Sequence, residues 1–184
     1  MPILTKDIPL ALGFESRFHF DSKKYLNLVI FDNPPDTKYV QLARSITGDV
    51  CGSEDFVEKF LTEILEVAIK EGCRVMFKPK YSLSNYSNIS YSSFLSVIKA
   101  KYPNDLILLN PYVRLSDLIE SCDILLNFPF TSTKTFGDCL SKKSYYYFPE
   151  KYYDCFEAYM DSWGSDLISK SELRNILTDM QEKS

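Results

Sequence analysis

The sequence is short of histidine, glycine, paired cysteines and positive charge, and each shortage closes off a class of function. Its 184 residues include one histidine, 6 glycines and 5 cysteines, with 21 Lys+Arg against 25 Asp+Glu for a net charge of −4. Such a chain carries no basic footprint for neutralising a phosphate backbone, so no nucleic-acid partner is expected. His19 stands alone between Phe18 and Phe20, so there is no second imidazole to share a metal and little prospect of a Ser/His or Cys/His couple. Cys51, Cys73, Cys122, Cys139 and Cys155 are odd in number and none is spaced CxxC. This suits reduced thiols in a cytosolic protein better than a disulfide framework or a zinc site. No run of about 18 apolar residues occurs and no basic-then-apolar start, so neither a membrane span nor a secretory signal is expected, and the expected location is cytoplasmic. GxGxxG, GxxxxGK[ST] and DxD are all missing. A dinucleotide fingerprint, a P-loop and a metal held against a sugar nucleotide are therefore not expected.

What the chain does hold is the balance of one folded domain: 45% hydrophobic, 15% aromatic and 25% charged residues, enough at this size for a single core. Residues 1–24 show no period and read as a lead-in; residues 25–184 read as the domain. Tyr25–Phe31 is a continuous apolar run closed by Asp32-Asn33-Pro34-Pro35, as in a strand buried on both faces. Ser53 opens a helix whose stripe runs from Phe56 to Ile69, with Gly72 past its end. Further strands are expected at Arg74–Phe77, Leu106–Leu109, Asp123–Phe128 and Ser144–Phe148, with a possible sixth at Asp166–Ile168. Between and after them, helices are expected over Phe94–Lys101, Ser116–Ser121 (capped by Ser116), Thr131–Leu140 and Tyr152–Met160. Tyr81–Ser90 has loop composition, and Ser169-Lys170-Ser171-Glu172 is a capping box opening a last helix. Short strands alternating with helices mean an α/β, Rossmann-like parallel sheet of five to six strands. Ligands of such sheets bind beyond the carboxyl ends of the strands.

Two places stand out there. Lys78 and Lys80 follow the second strand, and Phe128-Pro129-Phe130-Thr131-Ser132-Thr133 follows the fourth, with three hydroxyl residues where a helix begins. Free N–H groups at a helix start favour an anion, and hydroxyls add donors without bulk. Taken singly, the hydroxyls read as ordinary N-caps, the lysines as solvated, Tyr112 as packing, and Asp123 and Asp138 as structural. Their conjunction points to one phosphate held by lysines, hydroxyls and backbone, with no cofactor and no obligatory metal.

The stretch Leu106–Pro149, with its strand, Pro, short helix ending at Ser121-Cys122-Asp123, apolar strand and Ser/Thr-led helix, resembles the nucleotide-sugar half of GT-B-type glycosyltransferases. Phe128-Pro129-Phe130-Thr131-Ser132-Thr133 resembles the motif of the polysaccharide biosynthesis PFTS motif proteins. The resemblance implies a donor-binding domain in bacterial surface polysaccharide or lipopolysaccharide synthesis, with a nucleotide sugar as substrate. Thr131, Ser132 and Thr133 would then hold the donor phosphate together with Lys78 and Lys80. Asn110, Tyr112 and Val113 would lie near the base, and Glu150 near the ribose. Lys78-Pro79-Lys80 stands where related sialyl- and capsule transferases place a basic or His-Pro element; the missing histidine weighs against a CMP-sugar. The acceptor and the catalytic base would come from an N-terminal domain or a companion subunit, since only about 24 residues precede the first strand, and no catalytic residue is named. The alternative is a non-catalytic α/β partner domain, contacting its companion through an aromatic surface of Tyr145, Tyr146, Tyr147, Tyr152 and Tyr153.

Overall fold

A computed structural model of the chain describes residues 25–35, 50–81, 89–129, 131–153 and 166–183. The lead-in with His19, residue 130, Cys155 and the 154–160 part of the expected Tyr152–Met160 helix lie outside the described residues; 150–153 are helical.

The described chain is α/β and Rossmann-like. Strand β1 (Asn27–Phe31) is buried at all five positions, which is why its sequence can be apolar without alternation. It pairs in parallel with β2 (Arg74–Lys78) on one side and β4 (Ile124–Asn127) on the other. β3 (Leu106–Leu108) adds to β2, while β5 (Lys143–Tyr147) and the two-residue β6 (Leu167–Ile168) continue beyond β4. The order is β3-β2-β1-β4-β5-β6, so its direction reverses between β1 and β4.

Helices cover both faces. α1 (Glu54–Lys70) begins where the Ser53 hydroxyl accepts the Phe56 N–H at 3.2 Å and ends at Gly72, whose φ of 65° stops the helix. With α2 (Ile89–Lys101) and α5 (Lys170–Glu182) it packs on Leu28, Ile30, Val75, Phe77 and Leu126. The opposite face, with Val29, Phe31, Met76 and Leu125, receives α3 (Leu115–Ser121) through Leu118 and Ile119. On this face too lies α4 (Thr133–Cys139), where a Cβ built on Gly137 would fall 2.8 Å from Leu125 Cδ2. The capping box of α5 is complete: Ser169 N–H donates to Glu172 Oε2 at 2.7 Å, and Glu172 N–H to Ser169 Oγ at 3.3 Å.

Two local expectations are corrected. α2 starts at Ile89, not Phe94, because Tyr91, Leu95 and Ile98 form a buried stripe at helical spacing. Ser116 is not a cap: Arg114 holds that position without a side-chain cap bond, and the Ser116 hydroxyl donates to Asp117 instead. Among the described residues no helix is long and apolar enough to cross a membrane.

The thiols divide by burial. Cys73 and Cys122 are buried, and burial pushes their pKa up to about 12 and about 11; Cys139 is exposed. In a Cys155→Ser background at about pH 8, iodoacetamide is expected to modify Cys139 and to leave Cys73 and Cys122 intact until denaturant is added. Peptide mass mapping checks this, and native-state labelling of Cys73 would show that its site opens.

Candidate functional site

The carboxyl edge of the sheet brings five segments into one row: 109–113 after β3, 79–81 after β2, 32–35 after β1, 128–129 and 131–133 after β4 and 148–150 after β5. Neighbouring strands lie about 4.8 Å apart, so the ends of β2 and β4 stand about 10 Å apart with β1 between them.

Lys78 closes β2. Alternation puts it on the side of Met76, the face covered by α3 and α4. Its ammonium donates to the Pro111 carbonyl at 2.8 Å, tying β2 to the turn after β3. Burial holds its pKa below that of an ordinary lysine, and the nearby Asp32 carboxylate opposes the shift. Lys80 is exposed, with its ammonium 5.7 Å from the Tyr81 ring centroid, and its backbone N–H donates to Asp32 Oδ2 at 3.3 Å. The other oxygen of Asp32 accepts the Tyr91 hydroxyl at 2.5 Å.

Beyond β4 the hydroxyls are not simple caps. Thr131 Oγ1 donates to the Phe128 carbonyl at 2.8 Å and lies 3.0 Å from Thr133 Oγ1, closing a turn on itself. The Thr131 carbonyl accepts from the Tyr146 hydroxyl at 3.1 Å. Ser132 occupies the cap position of α4 with helical backbone angles and makes no side-chain cap bond; it is exposed. Lys134 is 6% exposed and bridges Asp138 at 2.7 Å and Asp166 at 2.8 Å. Desolvation pulls its pKa down, but its hydrogen bonds to these two carboxylates, with their charge, outweigh it and leave the pKa raised. Its charge ties α4 to the approach of β6. Asn127, fully buried at the end of β4, donates to Ser144 Oγ at 3.0 Å and the Tyr145 carbonyl at 3.1 Å.

The remaining sequence candidates divide. Asn110 Oδ1 accepts the Tyr112 N–H at 2.9 Å, and its carbonyl accepts the Val113 N–H at 3.1 Å, so this side chain shapes the turn. Val113 packs on the α3 core, whereas Tyr112 is 73% exposed. Glu150 is exposed, and its backbone N–H donates at 3.0 Å to Glu63, which also accepts the Tyr147 hydroxyl. The structure thus joins Lys78 to the 110–113 turn and keeps Thr131, Ser132 and Thr133 together, with Glu150 beyond β5. Glu54 and Asp55 make the start of α1 acidic, and Asp55 pairs with Lys151 at 2.6 Å, so that helix end is unsuited to an anion.

The expected aromatic partner surface is not one. β5 lies inside the sheet, so Tyr146 and Tyr147 are buried beneath the two helix layers, and Tyr145, Tyr152 and Tyr153 pack partly buried on the core. Asp32 and Tyr91 are what the sequence reading left unassigned. Their pairing crosses from β1 to α2, and only the stripe of Tyr91 with Leu95 and Ile98 could have hinted at it. Among the described residues no group of three or more His, Cys, Asp or Glu is placed to hold a metal.

No protein of curated function matches the chain. The family model for the polysaccharide biosynthesis PFTS motif protein matches residues 2–177, and with nearly the whole length covered the chain belongs to that family, named for a part in polysaccharide biosynthesis.

Proposed function

We propose that this domain binds the nucleotide-sugar donor of a GT-B-like glycosyltransferase that builds surface polysaccharide. The observation that carries the reading is the sharing of one sheet face, at the edge where the strand order reverses, by the Lys78 ammonium and the Thr131–Thr133 turn. Open parallel sheets take ligands at this point. The half-buried charge of Lys78 acts on a phosphate more strongly than a solvated lysine does. Ser132, exposed and without a capping bond, supplies a hydroxyl donor; Lys80, on the surface, closes over the anion.

In transfer, negative charge grows on the departing nucleotide phosphate, and Lys78, Lys80 and the hydroxyls of 131–133 stabilise that charge. Tyr112 offers an open ring on which a base can stack, and Glu150 a carboxylate for ribose. The acceptor hydroxyl loses its proton to a base outside this domain, from an N-terminal domain or a companion subunit.

Calorimetric titration with UDP, GDP and CMP and their sugar conjugates tests the reading. One nucleotide is expected to bind saturably to the wild type and about tenfold or more weakly to the Lys78→Ala/Ser132→Ala double variant, each group contributing as a charged or neutral hydrogen bond does. Folded protein that binds none of them would refute the reading.

A further inference from the structure

We infer that Asp32 is a second carboxylate, besides Glu150, that receives a ring hydroxyl of the donor, on the ribose or on the transferred sugar. The inference rests on the donor-binding reading above. Asp32 follows directly on β1, the strand at which the order reverses, and its N–H extends the ladder onto the Lys78 carbonyl at 3.0 Å, so its backbone is fixed. Its side chain is fixed as well. Oδ1 accepts the hydroxyl of Tyr91, a residue only 1% exposed, and Oδ2 accepts the Lys80 N–H.

Asp32 itself is half-buried at the edge rather than sealed in the core. A carboxylate can accept about four hydrogen bonds, so being anchored by the protein is compatible with accepting from a ligand. Its charge decides which part of the ligand it meets. Asp32 lies close enough to Lys78 to act on it electrostatically. A phosphate oxygen placed against the carboxylate would be repelled, whereas a hydroxyl donates to it with the strength of a charge-assisted bond. Lys78 and the 131–133 turn lie on the α3–α4 face, whereas Asp32 meets Tyr91 of α2 on the other face of the sheet, so the phosphate belongs with the former and a hydroxylated ring reaches over the end of β1 to the carboxylate. Tyr91 is the positioning residue, since its hydroxyl sets the direction of Oδ1.

The experiment titrates wild type, Asp32→Asn and Tyr91→Phe with UDP, GDP and CMP, with the 2′-deoxy and 3′-deoxy counterparts, and with UDP-glucose, GDP-mannose and CMP-sialic acid. If Asp32 holds the ribose, wild type loses about tenfold in affinity when the relevant hydroxyl is removed, Asp32→Asn shows the same loss with the parent nucleotide, and the two losses do not add. If it holds the transferred sugar, Asp32→Asn binds the plain nucleotide normally and its sugar conjugate about tenfold more weakly. Tyr91→Phe shifts the same ratio of hydroxyl to deoxy ligand in the same direction by a smaller factor, which a purely structural tyrosine would not do, and it serves alone if Asp32→Asn fails to fold. Equal affinities of wild type and Asp32→Asn for both the nucleotide and its sugar conjugate, or equal weakening of parent, deoxy and sugar-bearing ligands, overturn the inference while leaving the donor site standing. Failure of wild type to bind any nucleotide overturns both.

Discussion

Replacing Phe56 with alanine is expected to destabilise the domain by about 3–5 kcal/mol. Phe56 is fully buried on the first turn of α1, and three rings surround it: Phe128 at 5.2 Å, Phe148 at 5.3 Å and Tyr152 at 5.1 Å between centroids. The contacts with Phe128 and Phe148 are edge-on, a geometry that adds about 0.5–1.5 kcal/mol per pair to simple burial. The surrounding groups sit on different elements, so they cannot collapse together into the hole, and the cavity term persists. Phe128 is also the residue whose carbonyl accepts both the Thr131 N–H and the Thr131 hydroxyl. Loss of Phe56 thus loosens the support of the 128–133 turn, and nucleotide affinity should fall along with stability. Urea denaturation measures the first effect and calorimetry on the still-folded variant the second. A change below about 1 kcal/mol would mean that the cluster repacks freely and does not support the turn.

The fold was legible where its signals are local. Five apolar runs became the five longer strands, shifted by a residue or two at their ends, and Ser53, Gly72 and Ser169-Glu172 marked helix boundaries that the structure keeps. These features depend on neighbours in sequence, so a linear reading reaches them. It failed where burial depends on what arrives from elsewhere in the chain. Tyr146 and Tyr147 looked like surface because a tyrosine run is amphipathic; flanking by β4 and β6 put them inside, while Tyr145 stays partly buried. Ser, Asn and Tyr in the stretch 81–90 hid the first turn of α2, and with it Tyr91.

The site was half legible for the same reason. Lys78 ends β2 and Thr131–Thr133 follow β4, and position alone singles them out as candidates. What holds them is long-range: Lys78 on the Pro111 carbonyl, Tyr146 on the Thr131 carbonyl and Tyr91 on Asp32. Ser132 shows the limit from the other side. Its residue type and place suggest a cap, yet its backbone is already helical and its hydroxyl makes no cap bond, which composition alone does not reveal.

Gly137→Ala sets two of these levels against each other, and the outcome is expected to be a loss of about 2 kcal/mol or more. Helix propensity alone argues the opposite way, since alanine is favoured over glycine in a helix by about 1 kcal/mol. The contacts decide the sign. An added Cβ would meet Ser144 Oγ at 2.6 Å, Leu125 Cδ2 at 2.8 Å and Ser144 Cβ at 2.8 Å, all closer than real Cβ atoms approach. Leu125 is fully buried between neighbouring strands. The Ser144 hydroxyl is engaged twice, accepting from Asn127 Nδ2 and donating to the Lys134 carbonyl. Turning it away leaves a buried amide with one partner fewer, which costs about 1–3 kcal/mol in addition to the overpacking. If α4 instead moves outward, the Thr131–Thr133 turn at its start moves with it. Denaturant melts of Gly137→Ala, paired with nucleotide titration, should therefore show lower stability together with weaker binding. A variant more stable than wild type would mean that propensity outweighs contact and that α4 rides loosely on β4 and β5, leaving the Thr131–Thr133 hydroxyls without a fixed position.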